Sequence, residues 1–140
     1  MHQYAFRIDD GDLAGVGELF RRGRLTFLGK TPTTMDGADA VRSSFEDVII
    51  LYDGVPRTKH LTTNVSIVVD DDARGATARC YVTVLQAVRH ELPLQPIFSG
   101  NYEDRFARDG EGWYFVERVV RSDLMGDLSQ HRRDLPRRPS

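Results

Sequence analysis

Three short stretches of this chain carry groups that one small domain could bring together. They are Tyr4-Ala5-Phe6-Arg7-Ile8-Asp9, His60-Leu61-Thr62-Thr63-Asn64 and Trp113-Tyr114-Phe115-Val116-Glu117-Arg118. A carboxylate that fixes an imidazole, with a phenol beside it, suffices to take a proton from carbon and to steady the oxyanion that forms. Proton transfer is therefore the chemistry these residue types point to, with Asp9, His60 and Tyr4 as its carriers.

Each of these residues also has a plainer use. Even spacing on a strand puts His60, Thr62 and Asn64 on one face. If that face meets the helices, His60 and Asn64 line a pocket; otherwise His60 merely begins an exposed strand. Asp9, like Asp10 and Asp12, can end a helix or make a turn, and on an unbroken helix it lies about 140° round from Tyr4. Arg118 stands among aliphatic neighbours, as a buried ion-pair partner of a carboxylate such as Asp104 or as a holder of a substrate anion. Tyr102 is a second pocket hydroxyl or a core ring. Cys80, in an alternating apolar stretch, reads as a small buried hydrophobe.

The elements that must position these groups follow from periodicity. Apolar residues at helical steps predict short helices over Tyr4 to Ile8 and Leu13 to Phe20, broken by Asp9-Asp10-Gly11-Asp12, with Asp12 capping the second. Arg24 to Leu28 reads as a strand, 30–37 as a loop and Asp39 to Ile50 as a helix. Four long strands, His60 to Val69, Ala76 to Arg89, Leu94 to Arg108 and Gly112 to Arg121, are rich in Val, Thr, Tyr and Phe. Short turns between them imply antiparallel neighbours. Helices first and a curled sheet afterwards make an α+β fold with a pocket between the layers. Apolar residues on both parities of the last strand suggest helices on one face and another subunit, in a homodimer or homotrimer, on the other. Residues 1–130 form one unit; 131–140, with four arginines and two prolines, read as a basic mobile tail.

Composition excludes several classes. A chain of 140 residues, 40% apolar and 29% charged, with net charge -2, has no field for collecting nucleic acid. Its longest aliphatic run, Val48 to Leu51, is far short of the roughly 20 residues that span a membrane. No secretory signal is visible and the lone cysteine cannot form an internal disulfide, which makes the cytoplasm the default compartment. His2, His90 and His131 lie at termini or a turn without zinc-ligand spacing, and nucleotide-binding glycine patterns are absent. No cofactor or metal is expected.

Taken together, Tyr-x4-Asp-x-Gly-Asp before Val16-Gly17-Glu18-Leu19-Phe20, His-x3-Asn opening a strand, and Tyr-x-Asp-x-Phe followed by Gly-x-Trp-x-Phe-x2-Arg resemble the SnoaL-like branch of the nuclear transport factor 2-like superfamily. The resemblance runs from Tyr4 to about Leu128, although relatives carry more sequence before the first motif. It implies a cone of bent antiparallel sheet and N-terminal helices around an apolar pocket. Members include scytalone dehydratase, bile acid 7α-dehydratase, hexachlorocyclohexane dehydrochlorinase, polyketide cyclases and steroid isomerases, beside many without known activity. Asp9 and His60 fall on the Asp–His dyad of the dehydratase and dehydrochlorinase members. Arg118 falls on a pocket arginine, and Tyr4 where the bile acid enzyme has a tyrosine.

The resemblance thus implies a cofactor-independent lyase or isomerase acting on a hydrophobic cyclic substrate. His60 would be the base and Asp9 its anchor. Tyr4 would hold the departing or enolate oxygen, with Arg118, Asn64 and Tyr102 as substrate contacts. The alternatives are a non-catalytic small-molecule-binding domain of the same fold and an accessory subunit.

Overall fold

A computed structural model describes residues 1–136. Three helices, α1 (Gln3–Asp9), α2 (Leu13–Glu18) and α3 (Gly37–Val48), pack on six strands. These are β1 (Arg24–Leu28), β2 (Thr33–Asp36), β3 (Thr58–Val69), β4 (Gly75–Val88), β5 (Leu92–Asp109) and β6 (Gly112–Met125), joined in the order β2-β1-β6-β5-β4-β3.

The α+β expectation holds, with two corrections to the sheet. It is mixed rather than wholly antiparallel, because β1 runs parallel to β6, with Leu25 opposite Arg118. That pairing covers what would otherwise be the free edge of the last strand. The expected loop over 30–37 contains β2, whose Thr33, Thr34 and Met35 pair with β1. Threonine favours extended backbone, and Pro32 precedes the strand, where its missing N–H costs nothing.

Each helix buries one stripe. Tyr4 and Ile8, one turn apart, are the buried residues of α1, and Val41 and Phe45 those of α3. Asp12 caps α2 by accepting from the Gly15 N–H at 2.8 Å, as its position predicts. The joint between α1 and α2 needs Gly11: its φ is +77°, and a Cβ there would come within 1.9 Å of the Gly54 carbonyl oxygen. This turn leaves Asp9 as the last residue of α1, over the start of β3.

Bulges decide which side chains face inward. Between β5 and β6, Phe106 pairs with Phe115 and Arg105 with Glu117, so Val116 is extra and the alternation slips by one. Phe115, Arg118 and Val120 are consequently all buried, whereas strict alternation would have split Phe115 from Arg118. A second bulge, between Thr63 and Ser66 of β3, places Asn64 at φ +54° and turns it to solvent. Outside the core, Trp113, Leu124, Met125, Ile67 and Val68 are exposed.

The chain does not leave the fold at residue 131. The Ile50 N–H donates to the His131 carbonyl at 3.0 Å, the Arg133 N–H to that of Val48 at 2.9 Å, and Ile49 bridges Arg132. Leu128, Ser129 and Gln130 are buried just before. The expected tail is therefore docked through this stretch, because residues 128–133 satisfy backbone groups left open at the end of α3. Residues 137–140 of that expected tail lie outside the described residues.

Candidate active site

The Asp9 carboxylate gathers three donors. Its Oδ1 accepts from Nδ1 of His60 at 2.6 Å and from Oγ1 of Thr58 at 2.7 Å; its Oδ2 accepts from the backbone N–H of His60 at 2.9 Å. An ionised carboxylate only accepts, so the proton of a neutral His60 sits on Nδ1 and the lone pair on Nε2. The Asp9 and His60 side chains are 9% and 7% exposed. Burial alone would push the Asp9 carboxyl up, but the bonds and charge of His60 outweigh it and hold the group below the usual carboxylate range.

Thr58 is a partner that sequence reading missed. It stands two residues before His60 on the same strand, and even spacing was the signal that could have found it.

His60 opens onto a cavity of about 490 Å³ between helices and sheet. Ile8, Met35, Phe45, Val84 and Ile97 supply apolar wall, and Tyr4, Tyr102 and Ser122 supply hydroxyls. Asp9 is not part of the wall. It lies about 100° round α1 from Ile8 and reaches the cavity only through the His60 ring. Among the described residues, no aspartate or glutamate lines the cavity, and no group of three or more histidine, cysteine or acidic side chains could hold a metal ion.

Tyr4 and Tyr102 are both in the wall, their ring centroids 5.7 Å apart in an edge-on contact. Burial pushes both phenols well above their ordinary range, only partly opposed by Arg118. Both hydroxyls therefore keep their protons at neutral pH and can donate. Burial likewise raises the Cys80 thiol, which stays protonated.

Two expected substrate contacts are not in the wall. Asn64 is exposed on the bulge of β3, because the extra residue there breaks the two-residue alternation that linked it to His60. Arg118 is 1% exposed and bound twice by Asp104, Nε to Oδ1 and Nη2 to Oδ2, each at 2.7 Å. Its guanidinium carbon lies 4.6 Å from the Tyr4 ring centre, 3.9 Å from that of Tyr102 and 4.9 Å from that of Phe115. Burial disfavours its charge, but the Asp104 bonds overcome that and raise its pKa. Arg118 thus sits behind the cavity and holds two of its wall rings by cation–π contact.

The sequence assigned His131 no role, yet it lines the cavity. Burial, with smaller contributions from His60 and Arg132 and against the pull of Asp9, pushes its pKa down to about 4 from 6.5. Between these two values the unfolded chain holds the proton and the folded one does not, so the stability is complete above pH 6.5 and falls as pH drops toward 4. The full span corresponds to roughly 3 kcal/mol. Denaturant midpoints at pH 7.5, 5.5 and 4 should show that loss, and His131→Phe should flatten it. Parallel decline in both proteins would assign the loss to other groups. The lowered Asp9 carboxyl adds a further loss only as pH falls below its ordinary value of 3.8.

No match was found among curated protein sequences. Among solved structures, a Mycobacterium tuberculosis protein of unknown function, Rv3472, is similar at 26% identity and a TM-score of 0.69, over 88% of this chain and 67% of that one. ActVI-ORFA of Streptomyces coelicolor is similar at 19% identity and 0.70, over 86% and 89% of the two chains. A Novosphingobium aromaticivorans protein provisionally assigned as a scytalone dehydratase is similar at 21% identity and 0.68, over 89% and 79%. The latter two likenesses are of fold alone. Two further neighbours are described as having a cystatin-like fold, one of them as nuclear transport factor 2-like. Among the described residues, no helix is long and apolar enough to cross a membrane. A family model matches residues 1–119, and the chain belongs to the SnoaL-like domain family.

Proposed function

We propose that this chain is a cofactor-independent lyase or isomerase of the dehydratase or cyclase type, acting on a hydrophobic cyclic substrate. The observation that carries the reading is the Asp9–His60 pair, bonded at 2.6 Å, with the imidazole opening onto an apolar cavity of about 490 Å³. That volume lies within the range of small-molecule sites.

His60 Nε2 takes a proton from a carbon made acidic by a neighbouring carbonyl, and Asp9 stabilises the imidazolium that forms. The negative charge moves to the carbonyl oxygen, where Tyr4 or Tyr102 donates a hydrogen bond. The absence of carboxylates from the described wall favours that charge. Return of the proton to another carbon gives isomerisation; loss of a β-hydroxyl with a proton gives dehydration.

The common first step can be read without the natural substrate. In D₂O, the protein should accelerate deuterium incorporation next to the carbonyl of 2-tetralone, followed by proton NMR. His60→Ala should lower that acceleration by about 10²–10⁴-fold. Equal acceleration by the variant would refute the base assignment.

One observation favours a second reading, a binding domain without turnover. Asp9 also accepts from Thr58 and from the His60 backbone, so it ties α1 to β3 whether or not the imidazole acts as a base. Binding of 2-tetralone with no exchange above the buffer rate would establish that reading instead.

A further inference from the structure

The cavity has a second imidazole, and its surroundings differ from those of His60. Asp9 fixes the tautomer of His60, whereas Nδ1 of His131 is buried without a hydrogen-bond partner among the described residues. A buried polar atom left in this state is an unmet demand in a native structure and calls for an explanation. The position of the ring is nevertheless closely set. The carbonyl of Gln130 accepts from Tyr52 Oη at 2.7 Å and from Gln86 Nε2 at 3.1 Å. The carbonyl of His131 itself accepts from Ile50, and Arg133 is held from both its backbone and its side chain by Val48 and Ile49. Anchors on both sides therefore press His131 into the wall, while its Nδ1 is bonded by nothing among the described residues.

We propose that His131 is a substrate-contacting, specificity-determining residue that hydrogen-bonds an uncharged oxygen substituent, a hydroxyl or carbonyl, of the cyclic ligand. The inference deepens the proposed function and rests on its reading of the cavity as a site for apolar rings. Because no bond to the enclosed Nδ1 fixes the tautomer among the described residues, Nε2 is the atom that would donate to a carbonyl or accept from a hydroxyl. It is uncharged at neutral pH, because burial holds its pKa near 4. Arg132 also lines the cavity, but its guanidinium is engaged by Asp134 at 3.0 and 2.7 Å. This end of the cavity therefore offers hydrogen bonding with its cation already compensated, which suits an alcohol or ketone better than a carboxylate. Such discrimination is strong where a buried polar group would otherwise stay unpaired.

Two probes of nearly equal size, 2-naphthol and naphthalene, separate hydrogen bonding from apolar burial. Their dissociation constants can be measured by fluorescence with the wild-type chain and with His131→Phe and His131→Gln. His131→Phe should weaken 2-naphthol about tenfold, the worth of one hydrogen bond, and leave naphthalene within about twofold by the same reckoning. His131→Gln should restore part of the difference. Independently of any variant, the ¹⁵N resonances of the His131 imidazole should shift with 2-naphthol and not with naphthalene. An unchanged preference for 2-naphthol in His131→Phe, or equal loss of both probes, together with unmoved ¹⁵N resonances, would overturn the assignment and leave the cavity reading intact. Failure of the wild-type chain to bind either probe would overturn the cavity reading and this inference with it.

Discussion

Replacing Arg118 by methionine should destabilise the protein by about 3–5 kcal/mol, the cost of leaving a buried carboxylate without its partner. Asp104 is fully enclosed, its side chain 0% exposed, and both of its oxygens are bonded by Arg118. Without the guanidinium it must stay charged in a dry site or take up a proton. The rings of Tyr4, Tyr102 and Phe115 would also lose the cation they surround. Replacing the pair together, Arg118→Met with Asp104→Leu, should recover most of the loss, because it removes the charge as well as its partner. Urea denaturation of the single and double variants checks both statements. A single variant within 1 kcal/mol of the wild-type chain would mean that the pair is not sealed from water.

Asp9→Asn should lower the exchange of 2-tetralone by about 10²–10⁴-fold, and it should also cost about 1–3 kcal/mol of stability. The two effects have separate origins. An asparagine keeps one oxygen acceptor where the aspartate serves three donors at 2.6–2.9 Å, so at least one buried donor is left short. It also removes the charge that steadies the imidazolium and sets the tautomer of His60. Thr58→Val provides the control. It deletes one donor to Asp9, should cost about 1 kcal/mol and should leave exchange close to the wild-type rate. Exchange by Asp9→Asn within a few-fold of the wild-type chain, measured well below its melting temperature, would refute a working dyad. Exchange lost equally in Asp9→Asn and Thr58→Val would instead point to a structural tie whose loosening disturbs the site.

Much of the fold was legible in the residues. The 3.6-residue spacing of Tyr4 and Ile8 and of Val41 and Phe45 determined which helix faces turn inward, because a helix repeats its direction whatever surrounds it. The cap at Asp12 and the turn at Gly11 are equally local. Strand content was clear from Val, Thr, Tyr and Phe. The link between Asp9 and His60, however, came from resemblance to a family, since no local pattern joins residues that lie 51 apart.

What only the tertiary structure decided is the direction of strand residues beyond each bulge and the destination of the last segment. A strand repeats every two residues, so one extra residue reverses every assignment after it. That is why Asn64 faces solvent although His60 faces the cavity, and why Phe115 and Arg118 share a side. The choice between ion pair and ligand contact for Arg118 depended on where Asp104 lay across the sheet, directly opposite it. The polar end of the chain looked like a tail because hydropathy does not record backbone hydrogen bonds. The open amides and carbonyls near residues 48–50 draw that segment in, and His131 reaches the cavity wall with it.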